Sequence, residues 1–159
     1  MRKKREAQDE MGMTREVSDS GTKYASRFTG LDLEDEMSKT ALVVDDSPTM
    51  RQMVAFTLTN AGFKVVEAEH GRDAVAKVAG GPPVDIVVTD LNMPEMDGIS
   101  LIKELRKMPA FKFTPILMLT TESAADKKQA GKEAGATGWI VKPFNPDLIL
   151  KIIAKVLPA

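Results

Sequence analysis

Residues 41–48 read Ala-Leu-Val-Val-Asp-Asp-Ser-Pro, and this short stretch decides the fold. Four apolar residues in a row have the length of a strand buried on both faces. Two carboxylates stand at its end, and Ser47-Pro48 opens a helix, with the hydroxyl as cap and the proline in the first turn. Residues 50, 53, 54, 57 and 58 (Met, Met, Val, Thr, Leu) then recur at the spacing of one helix face, and Asn60-Ala61-Gly62 ends it. The same alternation continues outward along the chain. Val65-Val66, between Lys64 and Glu67, suits an edge strand, and a short helix follows with Ala74, Val75 and Val78 inward, ending at Gly80-Gly81-Pro82-Pro83. Ile86-Val87-Val88 is a third strand, Asn92 to Gly98 a loop, and Leu101, Ile102, Leu105 and Met108 share a helix face. Ile116 to Leu119 is the fourth strand, residues 123–134 an alanine-rich helix, Trp139-Ile140-Val141 the last strand, and Ile149, Ile152, Ile153 and Val156 the inner face of the last helix. Five strand-then-helix units predict an α/β protein, a (βα)5 doubly wound parallel sheet with helices on both faces, because crossovers between parallel strands place them there.

Composition narrows the function classes. The 159 residues are 43% hydrophobic and 28% charged, which suits one globular domain. With 22 basic and 23 acidic side chains the net charge is −1, so no electrostatic footprint for nucleic acid or an anionic membrane is present. The absence of cysteine and the single histidine, His70, exclude thiol chemistry, disulfides and Cys- or His-rich metal sites. No apolar run is long enough to span a bilayer, and the basic start MRKKREAQDE lacks the apolar segment of a secretory signal, which predicts a soluble cytoplasmic protein. Residues 1–36 carry seven basic and nine acidic side chains with scattered apolar residues, and are expected to form a flexible N-terminal extension to a domain spanning 37–159.

The polar residues fall in a pattern. Asp45-Asp46 follow strand one, Asp90 strand three, Thr120-Thr121 strand four and Lys142 strand five. Open parallel sheets bind ligands outside the carboxyl ends of their strands. If strands one and three are neighbours, three carboxylates converge beside a hydroxyl and an ammonium. They cannot all stay ionised without counter-charge. Lys142 supplies one; a divalent cation is the natural second, and an all-oxygen donor set favours Mg²⁺ over zinc. A carboxylate so placed can attack phosphorus and form an acyl phosphate, with the cation and ammonium neutralising the phosphoryl oxygens and Thr120 donating a hydrogen bond. Asp90, alone at its strand end, is the candidate nucleophile; Asp45 and Asp46 look like metal ligands. A dinucleotide enzyme would need a glycine-rich turn after strand one, and an aspartyl phosphatase of the haloacid dehalogenase type a second Asp two residues after its nucleophile, where Asn92 stands.

The segments VVDDSPTMR (43–51), DLNMPEMDG (90–98), LTTES (119–123) and GWIVKPF (138–144) resemble the receiver domain of two-component response regulators, most of all its single-domain chemotaxis members. The resemblance covers residues 40–159. It implies the flavodoxin-like strand order 2-1-3-4-5, an order taken from the family and not from the residues. It further implies that Asp90 accepts a phosphoryl group from a histidine kinase, with Mg²⁺ held by Asp46 directly, by Asp45 largely through water, by Asp90 and by the Asn92 carbonyl. Thr120 and Lys142 should contact the phosphoryl group, and the Lys142–Pro143 peptide should be cis. Trp139 occupies the position of the switch aromatic, usually Tyr or Phe. Thr120 would move toward the phosphoryl group and Trp139 into the vacated space, altering a face made by the fourth helix, fifth strand and fifth helix. Asn92 and Glu122 would flank the hydrolytic water and tune phosphoryl lifetime. With no output domain after Ala159, the signal is expected to pass from a monomer to a protein partner such as the flagellar motor switch. One departure counts against that partner: Lys128 stands where an apolar residue is often exposed. The alternative is a phosphate sink or a non-motor receiver.

Overall fold

The computed structural model describes residues 38–157; the expected extension over 1–36 and its boundary at 37 lie outside the described residues. Five parallel strands, β1 (Thr40–Val44), β2 (Lys64–Ala68), β3 (Ile86–Thr89), β4 (Ile116–Thr120) and β5 (Gly138–Val141), form one sheet in the order β2-β1-β3-β4-β5. The helices are α1 (Pro48–Asn60), α2 (Gly71–Val78), α3 (Gly98–Lys107), α4 (Ala125–Ala134) and α5 (Pro146–Val156). The predicted architecture and strand order are therefore both present. Register places Val44 of β1 beside Thr89 of β3, so the residues that follow them, Asp45 and Asp90, leave the sheet side by side.

Alternating side chains feed two cores. Leu42, Val44, Val87 and Met118 pack with Ala74, Leu101, Ile102 and Leu105 under α2 and α3; Ala41, Val43, Val88, Leu117 and Ile140 pack with Val54, Leu58, Ile149 and Ile153 under α1 and α5. β1, β3 and β4 are buried along their whole length, whereas β2, at the edge, exposes Lys64 and Glu67. Among the described residues no helix is long and apolar enough to cross a membrane.

Caps explain most of the boundaries. Ser47 Oγ accepts from Met50 N at 3.3 Å, as its position before Pro48 predicts. His70 caps α2: its Nδ1 accepts from Asp73 N at 3.2 Å. The fourth helix begins at Ala125, two residues later than the alanine-rich run suggests, because no side chain of Ala124 can cap it and Glu122 Oε2 takes the Ala124 N–H at 3.0 Å. A 3₁₀ turn over Pro109–Phe111, unforeseen in the sequence, buries Phe111.

Because Leu117 is fully buried at the centre of β4, Leu117→Ala is expected to destabilise the domain by about 3 kcal/mol, transfer and cavity terms together. Phe56, 68% exposed on α1, should cost less than about 0.5 kcal/mol when replaced by Ala. Urea unfolding of both variants checks the pair.

Candidate functional site

The C-terminal edge of the sheet carries the polar residues. Asp45 and Asp90 are buried, 4% and 8% exposed, while Asp46 beside them faces solvent. One carboxylate oxygen from each of the three lies within 4.8 Å of the others. Lys142 Nζ enters from β5 and meets Asp45 Oδ2 at 3.2 Å and Asp90 Oδ2 at 3.6 Å, its side chain only 11% exposed. Its backbone N–H donates to Thr120 O at 2.8 Å, tying the ends of β5 and β4 together, and the Lys142–Pro143 peptide is cis as expected.

Each carboxylate is aimed by backbone amides. Asp45 Oδ1 accepts from Ser47 N at 2.9 Å, which fixes the turn into α1. Asp90 Oδ1 accepts from Leu91 N at 2.8 Å, and Asp90 N donates to Val44 O at 2.9 Å, so β1 holds the candidate nucleophile from behind. The second Asp90 oxygen remains on the Lys142 side. Burial pushes the Asp90 carboxyl up from its ordinary value; Lys142 pulls it back, Asp45 raises it again, and the Leu91 N–H and Thr120 hydroxyl favour the charged form.

The donor set suits a hard divalent cation. Three acidic groups facing one ammonium leave the cluster short of positive charge, and every donor is oxygen, with no imidazole or thiolate. Asn92, two residues past Asp90, lies exposed in the loop leaving β3.

The remaining expected residues form a chain leading away from the acids. Thr120, fully buried at the end of β4, accepts from Glu122 N at 3.2 Å through Oγ1. Glu122 turns its carboxylate to the Ala124 amide, and its carbonyl accepts from Trp139 Nε1 at 2.9 Å. Trp139 is half-buried and lies against α4. The structure thus brings together Asp45, Asp46, Asp90 and Lys142, links Thr120, Glu122 and Trp139 by hydrogen bonds, and leaves Asn92 at the rim.

Two positions were not picked out from the sequence. Arg51, in the second turn of α1, donates from Nη1 to Asp45 O at 2.8 Å and from Nε to Glu67 Oε1 at 3.2 Å, clamping the acidic turn to β2. Gly98 at the start of α3 sits so close beneath Asp90 that a Cβ there would collide with the Asp90 carbonyl oxygen. The signals were there, an arginine in line with the buried Val54, Ala55 and Leu58 of α1 and a glycine after a capping Asp97, but neither has meaning without its distant partner.

A family model for the response regulator receiver domain matches residues 41–154. Chemotaxis protein CheY1 of Helicobacter pylori is 42% identical over 117 residues, which is 73% of this chain and 94% of that relative. A CheY homolog of Campylobacter jejuni is 41% identical over the same length, 90% of its own. Among solved structures, the chemotaxis response regulator CheY4 of Vibrio cholerae superposes with a TM-score of 0.71 at 50% identity, covering 76% of this chain and all of that one.

Removing one of the two buried carboxylates leaves Asp45 and Lys142 as a balanced pair. In metal-chelating buffer, Asp90→Asn is therefore expected to raise the melting temperature near pH 7 by roughly 2–5 °C, about 1 kcal/mol for a domain of this size. A raised native pKa means that the ionised Asp90 destabilises the fold above that pKa and ceases to do so as pH falls through it to the ordinary aspartate value. The gain should vanish over that acidic window in thermal scans; a gain equal at every pH would contradict the assignment.

Proposed function

The chain belongs to the response regulator receiver family, and from that premise we propose that it is a phosphoryl-accepting switch of a CheY-type chemotaxis system, with Asp90 as the acceptor. Members of this family are signalling proteins and not classical enzymes. The observation that carries the reading is the buried pair Asp45 and Asp90 sharing one lysine, since a structural ion pair needs no second carboxylate.

The residues divide the labour. Asp45, Asp46, Asp90 and the Asn92 main-chain carbonyl would hold Mg²⁺, which when bound neutralises phosphoryl oxygens and offsets the repulsion among the acids. An oxygen of Asp90 attacks the phosphorus of a phosphohistidine; the bond from phosphorus to imidazole nitrogen breaks, the imidazole leaves with a proton from solvent, and an acyl phosphate remains on Asp90. The Leu91 N–H holds the other Asp90 oxygen during the attack. Lys142, already between Asp45 and Asp90, pairs with an incoming oxygen, and the Thr120 hydroxyl donates to another. Exchange of Thr120's present bond with Glu122 N for one to the phosphoryl group moves the loop to which Trp139 is bonded. Phosphorylation adds roughly two negative charges, enough to bias a pre-existing equilibrium at the face of α4, β5 and α5. Asn92 and Glu122 border the approach of hydrolytic water and set the phosphoryl lifetime. The protein acts as a cytoplasmic monomer between a histidine kinase and a target such as the flagellar switch.

A second reading, a phosphate sink that drains a shared kinase, is favoured by one feature: α4 exposes Lys127, Lys128 and Lys132 and no large apolar side chain.

Acetyl phosphate with Mg²⁺ should add one base-labile phosphoryl group, detected by intact-protein mass spectrometry. Asp90→Asn or EDTA should reduce the adduct to background. Absence of any adduct on the parent protein would end the phosphoacceptor reading. Binding of the beryllium fluoride complex to a flagellar switch protein separates motor regulation, where it occurs, from the sink, where it does not.

A further inference from the structure

α4 is a poor helix for its place in the fold. Its sequence, ADKKQAGKEA, has no large apolar residue, and the buried residue it turns to the domain is Gly131. A mid-helix glycine destabilises a helix relative to alanine, so its presence on the inner face calls for a cause. The backbone supplies none: Gly131 does not adopt positive φ, unlike Gly135 at the helix end. The cause is the indole of Trp139. A Cβ on Gly131 would stand 2.7 Å from Cζ3 and 3.2 Å from Cε3 of that ring, the first distance shorter than real Cβ contacts allow. The three atoms nearest that Cβ all belong to the indole, so the ring or the helix would have to shift.

The other edge of the indole is also fixed. Nε1 donates to Glu122 O at 2.9 Å, and Glu122 N donates to the Thr120 hydroxyl oxygen at 3.2 Å. The ring is therefore located by two features together: a slot left by a missing side chain on α4, and a latch to the loop that carries Thr120. A phenylalanine would have no latch, and a smaller ring would not need the slot.

We infer that Gly131 is the positioning residue of this chain's switch: the gap it leaves in α4 sets where Trp139 rests, and holds the indole N–H on the Glu122 carbonyl so that movement of Thr120 is passed to the ring. The switching half of this inference rests on the function proposed above; the fit of Gly131 to Trp139 does not.

The experiment uses the full chain and two backgrounds. With Trp139 present, Gly131→Ala should lower the melting temperature. In Trp139→Phe, the same change should raise it, because alanine is the better helix former once the second ring is gone. If Gly131→Ala fails to fold with Trp139 present, folding should return in the Trp139→Phe background. An increase in both backgrounds, or loss of folding in both, would overturn the fit. Trp139 is the chain's one tryptophan, so its fluorescence reads the ring directly. In resting Gly131→Ala, acrylamide quenching should rise about twofold as the indole leaves its close-packed slot. The change produced by Mg²⁺ and beryllium fluoride should fall to about a third or less, while phosphoryl uptake from acetyl phosphate stays within about twofold of the parent's, the sites being separate. Unaltered quenching and an unaltered beryllium fluoride response would overturn the positioning role. A parent protein that takes up no phosphoryl group would remove the switch and leave the two melting experiments to decide the fit alone.

Discussion

Two buried carboxylates sharing one ammonium are the constraint around which the rest is arranged. The acidic oxygens lie within 4.8 Å of one another; at that distance and an effective dielectric of about 20, two like charges repel by roughly 3.5 kcal/mol, and one lysine cannot neutralise both. Folding would ordinarily avoid this, since an unpaired buried charge is among the more costly defects available to a core. The sheet imposes it instead. Parallel neighbours β1 and β3 end at the same level, Val44 beside Thr89, so the next residue of each strand must emerge at the same point. Lysine is suited to the fifth strand because two strand spacings, roughly 10 Å, separate β5 from β3, and only a long stem placed across the end of β4 reaches both acids. Thr120 at the end of β4 is small enough to let it pass.

On the proposed function, that charge deficit is what would let the site take a cation and a phosphoryl group; a cluster already neutralised would gain little from either. Stability is recovered away from the acids. At the opposite end of the sheet Arg106 donates from Nη1 to Phe111 O at 2.6 Å and Thr114 O at 2.7 Å, and from Nη2 to Gly135 O at 2.7 Å. Among the described residues the guanidinium is held by carbonyl dipoles and by no acid, joining the end of α3 to the turns before β4 and β5. Its charge stays far from the cluster, and the strand ends that must not move are held by a group that takes no part in the chemistry.

The sheet was legible in the sequence because its strands are buried from both sides. Ala41-Leu42-Val43-Val44 and Ile86-Val87-Val88 carry no polar residue that a one-sided strand would show, and every helix but α4 declared its inner face by spacing. The acids were legible because they recur at strand ends. Strand order was not, since nothing in the apolar runs distinguishes a chain that reverses after β2 from one that does not; it came from the four motifs and their family resemblance. Residues whose role depends on a distant partner were invisible for a related reason. Gly131 reads as a flaw in an alanine-rich helix until Trp139 is placed against it, and Arg106 reads as a solvated helix residue until three loops close around it.

On the proposed function, the path from site to surface is short in bonds. Thr120, Glu122 and Trp139 are joined by two hydrogen bonds, each contributing about 1 kcal/mol net, comparable with the bias that separates minor from major states in a two-state protein. Bonds of that size can transmit a change only if the groups at both ends have few alternatives. A ring free to rotate in an open groove would absorb the displacement of its loop. An indole latched at Nε1 and set against Gly131 of α4 has fewer ways to do so, and on the inference above the displacement appears as a broken latch or as a shift of ring or helix. Both outcomes alter the same face, next to Lys128 and Lys132, where a cavity of about 250 Å³ borders the indole. On the inference drawn above, the gap at Gly131 and the indole of Trp139 thus belong together.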